Sequence, residues 1–204
     1  GTRHLICVYK DKEYKVAQYG QWDGYPEGQG LDILNFLTKE FDRKLFENQL
    51  NMIRFGTNEE LLNQWKECGA DDSDWVNMEV ADKHKRLYPE NSRDTGAKIL
   101  SIIQNTNKPL ILCNSLEFAA DSLFCEWAYV IDLDNNTFEV YEGFNQTPLD
   151  SNERFSFLDY QPAHRTEKYY PVKHVISFKL DNLPTKDEFL SYFKENEEDS
   201  EEWI

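Results

Sequence analysis

The chain has 204 residues, with 22 Lys and Arg set against 38 Asp and Glu, a formal net charge of −16. That balance excludes a nucleic-acid binder of the usual kind, which needs a basic face to displace counterions, and equally a protein docked on an anionic membrane surface. Aromatic residues make up 14% of the chain, enough bulky apolar area for a core, and apolar runs such as Pro109–Cys113 fall far short of the ~20 residues that span a bilayer. Residues 195–204 hold six acids and no base, which leaves −10 on residues 1–194. The expected organisation is a single domain over residues 1–194 followed by an acidic C-terminal tail over 195–204.

In chain order, Thr2–Lys10 is rich in strand formers, Asp11-Lys12-Glu13 turns, and Tyr14–Tyr19 reads as a second strand, giving an N-terminal hairpin. Strand alternation puts Arg3 and Leu5 on one face and His4 and Ile6 on the other, so only one of Arg3 and His4 faces a given pocket. Gly20–Gly30 follows, with four glycines and a proline in eleven residues. A helix is predicted from about Leu31, with Leu34, Leu37, Phe41 and Leu45 along one face. Thr57–Glu60 has the form of a capping box that opens a helix through Leu61, Leu62 and Trp65. Trp75–Leu87 is a further helix, stopped before Pro89, and Asp94 is placed to cap another that carries Ile99, Leu100, Ile102 and Ile103.

The second half turns to strands. Leu110–Cys113 and Phe118–Ala120 are short candidates, and Phe124–Leu133 with Thr137–Gly143 flank Asp134-Asn135-Asn136 as a hairpin. Phe155–Tyr160 and Val172–Leu180 add two more. Thr185–Glu188 is a second capping box, opening a last helix through Phe189, Tyr192 and Phe193. The fold class is α+β, an N-terminal hairpin and C-terminal antiparallel strands forming sheet packed with helices.

The segment Gln18–Gly30 is where the composition asks for a chemical reason. Pro26 fixes its own φ, the glycines permit close backbone approach, and Trp22 and Tyr25 are stackable rings with Asp23 between them. The helix starting near Leu31 is expected to aim free N–H groups at whatever the loop holds. Together these describe a pocket wall for a small, partly anionic or planar ligand. The candidate set is Asp23 as acid/base, with Trp22, Gly24, Tyr25, Gly28 and Gly30 as ligand contacts; Arg3, from the neighbouring strand, and Arg93 would hold an anionic group. The spacing Gly24-x3-Gly28-x-Gly30 fits neither the phosphate loop nor the dinucleotide fingerprint, so the cofactor stays undefined.

Cys7, Cys68, Cys113 and Cys125 are widely spaced, with no Cys-x-x-Cys pair, and are read as reduced thiols. His84, His164 and His174 match no metal pattern, so no metal centre is expected. With no basic-then-apolar leader at the start, the expected location is the cytoplasm.

Two resemblances add to this reading. Gly1–Ile6, Gln18–Pro26 with Gly28 and Gly30, Ser92–Ala97 and Glu126–Asp132 together resemble a family of bacterial, phage and fungal proteins that brings no assigned activity with it. The opening strand, hairpin and site-lining loop also resemble N-terminal nucleophile hydrolases, which implies a sandwich of sheets and helices. Their chemistry needs Cys, Ser or Thr as first residue, activated by its own α-amine. Gly1 has no nucleophile, so that resemblance assigns a role to Thr2 only where Thr2 is the mature terminus.

Two functions follow as expectations. One is a small-ligand pocket protein, a hydrolase or a nucleotide or metabolite binder, acting through the Gly20–Gly30 loop. The other is an acidic interaction protein of phage type that inhibits a host defence complex by occupying a basic nucleic-acid channel, without binding nucleic acid or membrane itself. Mass spectrometry of the natural N-terminus tests the nucleophile reading directly: Thr2 as first residue keeps it, and a retained Gly1 removes it.

Overall fold

The computed structural model describes residues 1–73, 75–159 and 165–201, with side chains through residue 194. The N-terminal hairpin forms as β1, His4–Lys10, and β2, Glu13–Gly20, paired antiparallel with His4 opposite Gly20 and Lys10 opposite Glu13. Asp11 and Lys12 both take positive φ in the turn, and the Asp134 carboxylate accepts both of their backbone N–H groups at 2.8 Å. A single π-helical turn, Pro26–Gly30, leads directly into α1, Leu31–Lys39.

The predicted helical stripe does not run on to Leu45. Asp42 caps a separate helix, α2, Arg43–Leu50, its carboxylate accepting the Leu45 N–H. The break shifts the buried face by one residue, so Phe46 is fully buried and Leu45 lies exposed. A short strand, β3, Ile53–Phe55, precedes α3, Asn58–Glu67, which opens with the full reciprocal capping box of Thr57 and Glu60. The helix α4, Met78–Leu87, starts three residues later than the pattern predicts because Asn77, not Trp75, supplies the cap. The helix α5, Lys98–Gln104, likewise starts after Ala97, leaving Asp94 free for another task.

The strand β4, Leu110–Leu112, pairs parallel with β3. Phe118–Ala120, expected as a strand, belongs to the 3₁₀ turn Leu116–Ala120. The hairpin of β5, Trp127–Asp132, and β6, Thr137–Glu142, forms as expected. Phe155–Asp159 is irregular where a strand is expected, and Tyr160 lies outside the described residues, as does His164. The last strand, β7, Lys173–Lys179, pairs with β6, and α6, Lys186–Glu201, carries helical backbone into the acidic segment.

The main sheet has the order β2-β1-β5-β6-β7, with β1 and β5 parallel and the other pairs antiparallel. Helices α1, α2, α5 and α6 cover one face, where Ile6, Val8, Tyr129, Phe138 and Val140 meet Ile33, Phe46, Leu100 and Phe189. The other face, carrying Leu5, Cys7, Ala128, Val130 and Tyr141, is covered by Ala119, Cys125, Phe155 and Val172 from irregular segments. The architecture is α+β, with helices on one face and irregular chain on the other in place of a second sheet of similar size. Burial on both sides explains the unbroken apolar run Leu5–Val8, all fully buried. Among the described residues, no helix is long and apolar enough to cross a membrane.

The irregular cover is fastened by charge. Arg154 donates through Nε to Glu139 Oε1 at 2.9 Å and through Nη2 to Glu139 Oε2 at 3.0 Å and to the Asp132 carboxylate, and it lies over the Tyr9 ring. Asp132 is fully buried, and its remaining acceptor capacity is filled by the Asp134 and Asn135 N–H groups and the Asn135 side chain. Glu139 also accepts from Thr137 and Tyr141. Removing the one cation leaves two buried carboxylates unpaired. Arg154→Met should therefore destabilise the fold by about 3–5 kcal/mol in urea titration, and adding Asp132→Asn and Glu139→Gln should restore part of the loss.

Candidate functional site

The loop Gly20–Gly30 folds over the end of β1 and is pinned from several sides. Gly24 N–H donates to the Thr2 carbonyl at 2.9 Å, Gln21 N–H to the Arg93 carbonyl at 2.9 Å, and the buried Tyr129 hydroxyl to the Gly24 carbonyl at 2.7 Å. Gln29 ties the loop to the start of α5, donating to the Trp22 carbonyl at 3.0 Å and accepting the Ala97 N–H at 2.8 Å. Asp23 holds a positive φ of 55°, a conformation that Asp tolerates better than most residues.

The glycines answer to packing. A Cβ on Gly20 would come within 2.1 Å of His4 Nε2, and one on Gly24 would meet His4 Cβ and the Thr2 carbonyl, both at 2.7 Å. Gly28 lies against the Asp23 carbonyl, and Gly30 against Tyr129 and Phe189. These contacts are internal: Gly24 and Gly30 pack on buried groups and Gly28 on the loop's own Asp23, so none of the three is left to meet a ligand through a bare backbone. The expected bare helix N-terminus is also absent. The N–H groups of Gly28 and Gly30 bond to the Tyr25 carbonyl, that of Gln29 to Asp23, and that of Leu31 to Gly28 and Pro26.

What the loop does build is one wall of a groove of about 460 Å³ between α1 and α5. Trp22 is 46% exposed there, its indole N–H donating to Asp94 Oδ1 at 2.7 Å. The groove is further lined by Asp23, Asp32, Asn35, Lys39 and Glu40 from the loop and α1 and by Asp94, Lys98 and Ser101 from the α5 side. Four carboxylates thus face two ammonium groups. Lys85 stands 3.4 Å from Asp94, and Ser101 donates to Glu40 at 2.8 Å. Partial burial, with the Asp23 charge adding to it, pushes the Asp32 carboxyl above the usual range, while Lys98 works against the shift.

The predicted residues divide accordingly. Trp22 and Asp23 line the groove. Tyr25 stands beside them, its hydroxyl donating to Asp23 Oδ1 at 3.1 Å. Thr2 and Arg93 meet the loop through their backbone carbonyls. Arg3 goes to the opposite face of the sheet, its guanidinium 5.2 Å from the Phe124 ring centroid, and is not brought to the groove. The strand neighbour on the loop side is His4, which is 1% exposed. Neither of its ring nitrogens makes a hydrogen bond. Burial pulls its pKa down to about 4, partly offset by the nearby Thr2 carbonyl and Asp23 carboxylate.

Sequence reasoning missed Asp32, Lys39, Asp94 and Lys98. The polar residues Asp32, Asn35 and Lys39 recur at i, i+3 and i+7 along α1, a spacing that presents one polar face toward α5. Among the described residues, no three His, Cys, Asp or Glu side chains converge as a metal centre requires. Comparison with family models, with curated proteins and with solved structures found no match to this chain in any of the three.

The His4 contact yields a direct test of the loop's packing. Gly20→Ala should cost about 1–3 kcal/mol of unfolding free energy, the usual range for overpacking. In a His4→Ala background the same change should cost markedly less, since the ring it strikes is gone.

Proposed function

We propose that the groove between the Gly20–Gly30 loop, α1 and α5 binds a small ligand, and that the ligand is a cation with an apolar or planar body. One observation carries this reading: an exposed indole, fixed by Asp94, lines a groove with four carboxylates and two lysines, while a third lysine, Lys85, pairs with Asp94. An aromatic face beside an excess of carboxylates attracts ammonium and guanidinium groups. The raised pKa of Asp32 supports it, because burial and, after it, the Asp23 charge hold the carboxyl up, and an arriving cation offsets both. An anionic ligand such as a nucleotide finds less here, since four of the amides at the start of the helix are already bonded within the chain.

Binding is better supported than hydrolysis. Asp23, the expected acid/base, is engaged by the Tyr25 hydroxyl, and Thr2 meets the loop through its carbonyl rather than its side chain. A cytoplasmic location belongs to the same proposal, supported by four cysteines that are all free.

The alternative, an acidic interaction protein, is favoured by a different observation. Trp75 and Met78 are 81% and 82% exposed at the entry to α4, beside Asp71, Asp72 and Glu79. Large apolar side chains so placed suit insertion into a basic-rimmed pocket of a protein partner.

The groove reading is tested by titrating spermidine, choline and agmatine against the full chain, with ATP and inorganic phosphate as anionic controls, following tryptophan fluorescence and thermal shift. The cations should bind and the anions should not. Asp32→Asn should weaken cation binding about tenfold, or roughly 1.4 kcal/mol, and added salt should weaken it further. No response to any cation, or an unchanged response in Trp22→Ala, overturns the reading.

A further inference from the structure

We propose that His4 is a proton-operated fastener for the Gly20–Gly24 segment: while its ring is neutral the segment lies flat upon it, and protonation lifts the segment away and opens the Trp22 and Asp23 wall of the groove. The inference concerns the loop itself and holds whatever the groove binds.

The geometry comes first. His4 is buried to 1% exposure beneath two glycines that have no room for a Cβ, Gly20 against the ring and Gly24 against the ring and its Cβ. Both ring nitrogens are without partners. A neutral imidazole tolerates this at the cost of unmade hydrogen bonds, whereas an imidazolium, with two N–H donors and a full charge, does not. Its strand neighbours offer no acceptor side chain: Gly20 stands opposite on β2 and Trp127 on β5. The charged group that faces the ring is the Asp23 carboxylate, from the loop itself; Arg3 and its partner Glu126 belong to the other side of the strand. The Thr2 carbonyl, which accepts the Gly24 N–H, lies near the ring and offers it one acceptor, a contribution that burial outweighs. One carbonyl does not satisfy two N–H donors and a full charge at this depth, and water completes the solvation when the glycine segment lifts.

The lifted segment is held by a small set of hydrogen bonds around one left-handed residue. Asp23 holds a left-handed φ that most residues avoid. It is kept there by the Gly24-to-Thr2, Gln21-to-Arg93 and Tyr129-to-Gly24 hydrogen bonds. Opening breaks those bonds and exposes the imidazole to water, so proton uptake and loop opening favour each other.

The sign follows from linkage. The closed form takes up a proton only near pH 4, while an exposed imidazole titrates near 6.5. The open form therefore binds more protons between those values, and closure weakens as pH falls through that window. With these two values the opening equilibrium shifts roughly 30-fold between pH 8 and pH 5.

Amide hydrogen exchange on the full chain, expressed as protection factors to remove the intrinsic pH dependence, tests this. The Gln21 and Gly24 amides should lose roughly 30-fold of their protection between pH 8 and pH 5, while amides of β5 and β6 keep theirs. In His4→Gln, which has no titratable ring, the loss should vanish. Should that variant fail to fold, the His4 ring resonances of the unaltered chain supply the second measurement, their titration coinciding with the loop's loss of protection. Protection at Gln21 and Gly24 that holds steady to pH 5, that falls equally in His4→Gln, or that falls together with the whole sheet overturns the proposal.

Discussion

Burial of β1 on both faces is the constraint on which the rest of this structure depends. The strand lies inside the sheet, antiparallel to β2 and parallel to β5, with helices on one side and irregular chain on the other. A strand so placed has no solvent face on which to put a polar side chain. Its first residues must therefore deliver each polar group to a prepared environment or leave it without partners. Arg3 escapes to the Phe124 ring at the margin, whereas His4, one position further in, is covered by the loop that follows β2.

The two ends of the sheet meet the same problem with opposite outcomes. At the far end of β5, Asp132 is as buried as His4, yet every acceptor site on it is filled by backbone, Asn135 or Arg154. That network is saturated and behaves as a rivet, holding the irregular cover to the sheet. At the near end of β1 the imidazole has no partner at all. A satisfied buried network stabilises a single arrangement, while an orphaned titratable group makes the arrangement conditional on its protonation state. The fold thus has one end that is locked and one whose closure depends on a proton.

Much of the architecture was legible from residue patterns. The N-terminal hairpin, the capping box at Thr57 and the β5–β6 hairpin all follow from local signals that the tertiary structure leaves intact. Where the pattern misled, a cap or a plug had overridden periodicity. Asp42 interrupted the helical stripe, Asn77 displaced the start of α4, and Phe155 entered the core from irregular chain rather than from a strand. The loop's importance was visible in its composition, but its glycines point inward to His4, Tyr129 and Phe189, an assignment that needs the third dimension. Alternation allowed only one of Arg3 and His4 to face the loop; which one depends on the face that the helices cover, and no local signal carries that choice. Asp94 shows the same limit, since a residue with the chemistry of a helix cap instead accepts the Trp22 indole N–H.

The net charge of −16 takes on a narrower meaning in this light. Summed over a surface, acidity keeps a chain soluble and repels polyanions, and salt screens most of it. Charge held in a groove acts differently, because its partners are fixed at short range and partly shielded from solvent. Burial and, after it, the Asp23 charge hold the Asp32 carboxyl up while Lys98 works against them, and Asp94 is committed to both Trp22 and Lys85. The excess there is set by which side chains α1 and α5 bring face to face rather than by composition. That local imbalance lies beside the Trp22 indole, and the loop that carries the indole rests on the one buried imidazole of β1. The proton sensitivity of the groove's wall is therefore a consequence of β1 being sealed from solvent on both sides, while the groove's acidity comes from the helices that face each other across it.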